Sequence, residues 1–151
     1  MEAQALYQQI ILDHAKAPHG SGLREPFGVQ VHHVNPTCGD EITLRARVVG
    51  GVDGTVEDVS YESLGCSIST AGASVMAETV TGLPVAEAMR RYDLVLEMLQ
   101  SRGTVAGDPE LLGDAVALAG VSRYPARVKC ALLGWAAMRD AVLTATSKEP
   151  A

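Results

Sequence analysis

Long apolar runs, positive charge and cysteine are all scarce in this sequence. The longest nearly uncharged apolar stretch, CALLGWAAM at 130–138, is about half of the ~20 residues that a membrane-spanning helix needs. The first residues contain no cationic segment followed by an apolar run, so we expect no secretion signal. A net charge of −6 offers no basic surface to nucleic acid or anionic lipid. We therefore expect a cytoplasmic protein whose partners are other proteins.

The chain has only three cysteines, Cys38, Cys66 and Cys130. An odd number in a reducing compartment argues against a disulfide framework and leaves metal binding, catalysis or plain burial. Their wide spacing matches no compact CxxC zinc knuckle, so the spacing alone does not choose between these roles.

The hydrophobic periodicity predicts one globular domain over residues 1–151, with a frayed tail from about 144 to 151. Three strands are followed by a helical remainder, which predicts an α+β fold: a three-stranded antiparallel sheet with helices packed on one face. The predicted helices are 4–17, 69–80, 84–91 (continuing, or broken before 94–100), 109–119 and 126–144; the predicted strands are 29–34, 41–49 and 56–64.

Each cysteine lies at a boundary between predicted elements. Cys38, in NPTCGD, falls in the loop between the first two strands and is followed by Asp40; Cys66 precedes a helix, and Cys130 lies in the first turns of the last helix. Helix amino ends favour thiolate over thiol. Three thiolates and one carboxylate form a ligand set that zinc accepts. Arg127 and Lys129, beside Cys130, would either balance this negative charge or be solvated charges at a helix start.

Four segments together resemble the U-type iron–sulfur cluster assembly family, which includes the NifU amino-terminal and IscU-like proteins. They are LYQQIILDHAKAPHG, NPTCGDEITL, YESLGCSISTAGASVM and RVKCALLGW, in the family's order along the chain. The chain is more similar to the SufU branch than to the IscU branch, because Lys129 stands where the IscU type has a histidine. Residues 101–128 are also long enough to contain the insertion of the SufU type.

The resemblance implies a zinc site made by Cys38, Asp40, Cys66 and Cys130, and a zinc-dependent sulfurtransferase role in the SUF system. A SufS-type cysteine desulfurase is the implied partner, with downstream SUF scaffold proteins as further partners and Arg127 as a contact to the desulfurase. We expect Cys38 to accept the persulfide sulfur, since it lies in a Pro/Gly loop whereas Cys66 and Cys130 adjoin helices.

Three other interpretations remain open at this stage. A scaffold would hold a labile [2Fe–2S] cluster on the same four ligands. A zinc hydrolase is disfavoured because four ligands close the site to water and no HExxH motif is present. A packing module with incidental cysteines is the third. The four histidines match no ligand pattern: we expect His14 on a helix face and His19, His32 and His33 on surface loops or strands.

Overall fold

The structure is a computed structural model that describes residues 2–36 and 39–147, with side chains described from residue 5 onward. Cys38 therefore lies outside the described residues. The helices are α1 (Glu2–Lys16), α2 (Ser67–Val80), α3 (Val85–Gln100), α4 (Pro109–Leu112) and α5 (Pro125–Ser147); the strands are β1 (Val29–Asn35), β2 (Asp40–Val49) and β3 (Thr55–Leu64), and two 3-10 helices cover Gly51–Asp53 and Gly113–Val121.

The three strands form an antiparallel sheet in the order β1-β2-β3. The alternation in β2 sets its faces: Ile42, Leu44 and Ala46 are buried, while the residues between them are only partly covered. Helix α5 packs on β1 and β2, and α2 contacts both α5 and β3. The predicted α+β fold, with its three-stranded antiparallel sheet under a helical layer, is confirmed.

Helices α2 and α5 approach unusually closely because glycine stands at their contact points. A Cβ atom added to Gly72 would lie 2.5 Å from the Ala131 carbonyl oxygen, and one added to Gly134 would lie 2.8 Å from the Ala73 Cα. Neither contact leaves room for a larger side chain. The contact fixes how α2 sits against α5, and each helix carries one of the described cysteines.

The connection between α1 and β1 runs along the outer edge of β3. The Tyr61 backbone N–H donates to the Gly20 carbonyl oxygen at 3.1 Å, and the Gly22 N–H donates to the Tyr61 carbonyl oxygen at 2.7 Å. The Tyr61 hydroxyl donates to the His19 carbonyl oxygen at 2.7 Å. Burial raises the pKa of Tyr61 to about 12, so the hydroxyl remains a donor at neutral pH and holds this connection in place.

The main departure from the predicted elements is in residues 109–121. We predicted one helix over 109–119; the α-helix ends at Leu112 and the chain continues as a 3-10 helix to Val121. Gly113, with φ of 53°, interrupts the α-helical dihedrals. Elsewhere α3 continues unbroken to Gln100 and α5 extends to Ser147. Within residues 2–36 and 39–147, no helix is long and apolar enough to cross a membrane.

Candidate metal centre

Asp40 is the first residue of β2 and is placed by the end of the β1-β2 ladder. It pairs with Asn35, the last residue of β1. Gly39, just before it, has φ of 76° and donates its N–H to the Asn35 carbonyl oxygen at 2.8 Å. A left-handed conformation at this point is easiest for glycine. The Asp40 side chain is 6% exposed, so a buried carboxylate faces the helical layer.

Cys66 occupies the N-cap position of α2, directly after Gly65. A Cβ atom on Gly65 would lie 2.3 Å from the Ser69 Oγ and 2.8 Å from the Asp40 Cγ. Only glycine lets the chain pass this close to the Asp40 carboxylate. Ser69 donates its hydroxyl to the Cys66 carbonyl oxygen at 3.0 Å, which fixes the first turn of α2. Cys66 is partly exposed.

Cys130 enters the same place from the second turn of α5. Its side chain is 3% exposed, and its Sγ lies 3.8 Å from the Ala126 carbonyl oxygen one turn earlier. The next residue, Ala131, is the one that faces Gly72 across the close contact of α2 and α5. The glycine contact between the two helices therefore brings Cys130 near Cys66, although 64 residues separate them in the sequence.

The structure brings together three of the four predicted ligands. One ligand atom each from Asp40, Cys66 and Cys130 lies within 4.8 Å of the others. The Cys66 Sγ is 3.5 Å from the Asp40 Oδ2. Zinc–sulfur bonds of about 2.3 Å and zinc–oxygen bonds of about 2.0–2.2 Å at a tetrahedral angle place S and O about 3.5–3.7 Å apart. The donor types and this separation fit a zinc ion. Cys38, two positions before Asp40, lies outside the described residues.

The basic residues next to Cys130 do not enter the cluster. Arg127 and Lys129 are both exposed. A lysine ammonium has no lone pair to give to a metal, so Lys129 in this form is not a metal ligand. Arg127 lines an apolar cavity of about 330 Å³ together with Tyr7, Ile11, Ile68 and Tyr124. Ile68 follows Cys66 by two positions and Arg127 precedes Cys130 by three, so sequence neighbours of both cysteines line this cavity.

Several residues that shape the site were not singled out from the sequence. The absence of a side chain at three glycines lets other residues pack closely against them: Gly65, Gly72 and Gly134. Of these, only Gly65 lies next to a predicted ligand, Cys66, in the sequence. The histidines matched no ligand pattern in the sequence. In the structure His14 is 5% exposed, and one ligand atom each from His14, His19 and Glu78 lies within 4.8 Å of the others. Sequence spacing did not show this grouping because these residues meet only in the folded chain.

Comparisons with known proteins agree with this geometry. Residues 6–131 match the NifU-like N terminal domain family. The chain is 41% identical over 137 residues to the zinc-dependent sulfurtransferase SufU of Bacillus subtilis, covering 91% of this chain and 89% of that protein. It is 38% identical over 138 residues to the iron-sulfur cluster assembly scaffold protein IscU of Streptococcus pyogenes, covering 91% and 82%.

One solved structure is also similar, that of FiSufU from Fervidobacterium islandicum AW-1, described as a candidate iron-sulfur cluster assembly scaffold protein for the SUF system. It superposes with a TM-score of 0.76 at 32% identity, covering 89% of this chain and 94% of that chain. The family match and these similarities show that this chain belongs to the NifU-like N-terminal domain family of iron–sulfur cluster assembly proteins.

Proposed function

We propose that this protein is a zinc-dependent sulfur acceptor that takes persulfide sulfur from a SufS-type cysteine desulfurase during iron–sulfur cluster assembly. The observation that carries the proposal is the convergence of Asp40, Cys66 and Cys130 within 4.8 Å. The similarity to a protein named zinc-dependent sulfurtransferase supports it. Downstream SUF scaffold proteins would receive the sulfur.

In this proposal Cys38, Asp40, Cys66 and Cys130 hold the zinc ion. When bound, zinc keeps thiolates deprotonated and takes no part in redox chemistry. The Cys38 thiolate attacks the terminal sulfur of the persulfide on the desulfurase cysteine. A new sulfur–sulfur bond forms on Cys38, the persulfide bond of the partner breaks, and the partner's cysteine leaves as a thiolate. Electrons balance without any added oxidant or reductant.

The limited exposure of Cys66 and Cys130 supports Cys38 as the acceptor. Attack on a persulfide requires the incoming sulfur to reach the thiolate. Cys130 is 3% exposed and is part of the packed contact between α2 and α5. Cys66 is partly exposed, but it begins α2, and its Sγ is next to Asp40 and Ser69. Both positions favour a fixed structural ligand.

The apolar cavity lined by Arg127 is the surface that we assign to the desulfurase. Its lining combines apolar and aromatic side chains from α1, α2 and the start of α5 with the Arg127 guanidinium. Tyr124 is 58% exposed. Aromatic residues and arginine are the side chains most enriched in protein interfaces. A partner bound here would contact residues that are two and three positions from Cys66 and Cys130.

Removing the charge of Arg127 tests this surface. We expect Arg127→Ala to raise the concentration needed for half-maximal stimulation of the desulfurase by about 3- to 10-fold, since a lost interface charge slows association and weakens binding. Zinc content and melting temperature should stay unchanged, because Arg127 is exposed. The measurement is alanine production by the desulfurase over a titration of the variant.

Arg123→Ala is the matched control for that titration. Arg123 is also exposed, and its substitution removes the same charge four positions earlier in the chain. Arg123 is not among the residues that line the cavity. A half-maximal concentration that moves equally in both variants would mean that general charge matters rather than this surface. An unchanged value for Arg127→Ala would remove Arg127 from the interface.

A scaffold function on the same ligands is the second candidate. Relatives named as iron-sulfur cluster assembly scaffold proteins favour it. Three cysteines and an aspartate would bind a [2Fe–2S] cluster in place of zinc. Lys129 stands directly before Cys130, at the position where the IscU type has a histidine. This chain therefore has no histidine at that position to bind a cluster. The two functions therefore differ in the occupant of one site rather than in its residues.

Metal content and sulfur transfer distinguish the two functions. A sulfur acceptor should be colourless, hold zinc at the cysteine cluster that is lost in Cys66→Ala, and gain the mass of one sulfur atom after incubation with the desulfurase and cysteine. A brown protein containing iron and sulfide, with no stimulation of the desulfurase, would establish the scaffold function and reject the proposal.

A further inference from the structure

We propose that His14, His19 and Glu78, assisted by Asp114, form a second site for a divalent transition-metal ion, separate from the cysteine cluster. One ligand atom each from His14, His19 and Glu78 lies within 4.8 Å of the others. Asp114 extends the set, because its Oδ2 lies 2.9 Å from the His14 Nε2. Two imidazoles and two carboxylates are donors suited to zinc, iron(II), cobalt(II) or manganese(II).

The distances within the set match those between neighbouring metal ligands. The His19 Nε2 lies 3.1 Å from the Glu78 Oε2, and the His14 Nε2 lies 3.9 Å from the Glu78 Oε1. Metal–ligand bonds of about 2.1 Å place ligand atoms about 3.0 Å apart at right angles and about 3.4 Å apart at tetrahedral angles. Small side-chain adjustments would therefore place an ion among these atoms.

Four parts of the fold deliver these residues to one point. His14 lies in the last turn of α1, and His19 follows in the connection that Tyr61 holds against β3. Glu78 lies in the last turn of α2, and Asp114 is at the start of the 3-10 helix Gly113–Val121. Glu78 is 12 residues beyond Cys66, which places the two sites roughly 18 Å apart along α2.

A buried hydroxyl contacts the His14 ring. The Ser74 Oγ is 0% exposed, lies 2.6 Å from the His14 Nδ1 and accepts the His19 backbone N–H at 2.8 Å. Ser74 therefore offers an acceptor to a hydrogen on the His14 Nδ1, and that tautomer leaves the Nε2 lone pair to a metal ion.

The His14 Nε2 faces the carboxylates of Asp114 and Glu78. With the hydrogen on Nδ1, Nε2 would point a lone pair at negative oxygens, which is repulsive unless a cation lies between them. A histidine whose second nitrogen donates to a fixed acceptor is the usual arrangement at metal centres. The alternative is a hydrogen on Nε2 that is donated to Asp114, which needs no metal ion.

Access and charge also favour a bound ion. A cavity of about 280 Å³ opens beside the cluster and is lined by His14, His19, Asp13 and Asp114 among others. Glu78 is 40% exposed and Asp114 is 47% exposed, so both carboxylates are in contact with solvent. Solvent can therefore carry an ion to a site whose innermost ligand, His14, is already buried and oriented.

Zinc titration of the chelator-stripped full chain tests the second site. We expect two zinc equivalents for the wild type and one for His19→Gln, which removes an exposed ligand without disturbing the core. His32→Gln is the matched control: His32 and Glu41 form a pair 3.4 Å apart, 50% and 41% exposed, close to the 55% and 40% of His19 and Glu78. This variant should still bind two equivalents.

Nitrogen NMR of His14 and cobalt substitution keep the result interpretable. With zinc present, the His14 Nδ1 should carry the hydrogen and Nε2 should show the shift of a metal-bound nitrogen. An imidazolium with both nitrogens protonated, or equal zinc stoichiometry in the wild type and His19→Gln, would overturn the second site. The thiolate-to-cobalt absorption band depends on Cys66 and reports the cysteine cluster separately, so the proposed function stands or fails on its own readout.

Discussion

Replacing Cys66 with alanine is expected to lower the melting temperature by about 10 °C and to remove the zinc of the cysteine cluster. Structural zinc contributes on the order of 10 kcal/mol to small domains, and losing about 3–5 kcal/mol of that shifts the melting temperature of a chain this size by roughly 2–4 °C per kcal/mol. Calorimetry and elemental analysis of the same sample measure both quantities.

The structure makes Cys66 the informative position for this measurement. Cys66 makes no side-chain capping bond to α2 and is partly exposed, so its substitution removes little besides a metal ligand. After stripping with chelator, Cys66→Ala and the wild type should therefore melt together. Cys130→Ala should also lose zinc, but Cys130 is 3% exposed, and its stripped form should remain about 1 kcal/mol less stable through lost packing.

Asp40→Asn provides the graded comparison. The amide keeps the shape of a side chain that is 6% exposed beside Gly65, but its neutral oxygen is a weaker zinc ligand than a carboxylate. We expect zinc that exchanges faster with chelator and a smaller fall in melting temperature than for Cys66→Ala. A melting temperature of the wild type that chelator leaves unchanged would show that the cluster holds no stabilising metal.

The sequence was most informative about the residues at the ends of its elements. Alternation in β2 predicted the sheet, and Cys66 was predicted to precede a helix, where it occupies the N-cap position in the structure. Such signals are local, because hydrophobic period and turn chemistry act over a few residues. The same local signals did not detect the 3-10 geometry that replaces the predicted helix after Gly113.

Contacts between distant segments could not be derived from those patterns. The approach of Gly72 to Ala131 joins α2 to α5, and a glycine within a helical pattern reveals no partner. His14 contacts Ser74 and Asp114, which are 60 and 100 residues away. The amphipathic period of α1 placed His14 on a helix face, but only the packing of α1 against α2 shows that this face is buried and polar.

Replacing Cys38 with serine is expected to abolish persulfide acceptance while leaving the fold intact. A serine hydroxyl stays protonated at neutral pH and is a far weaker nucleophile than a thiolate, so sulfur uptake should fall by at least about 100-fold. Asp40, Cys66 and Cys130 still supply three metal ligands, and part of the zinc should therefore remain. Mass spectrometry after incubation with the desulfurase and cysteine detects the added sulfur directly.

The comparison with Cys66→Ser separates a lost nucleophile from a lost metal site. Both variants lose a metal ligand. Only Cys38→Ser should remain stably folded with the Arg127 surface intact, so only this variant should compete with the wild type for binding to the desulfurase. Peptide mapping of the wild type should place the persulfide on Cys38. A persulfide found on Cys66, or equal sulfur uptake by Cys38→Ser, would assign the transfer to Cys66, the partly exposed thiol at the start of α2, and leave Cys38 as a ligand only.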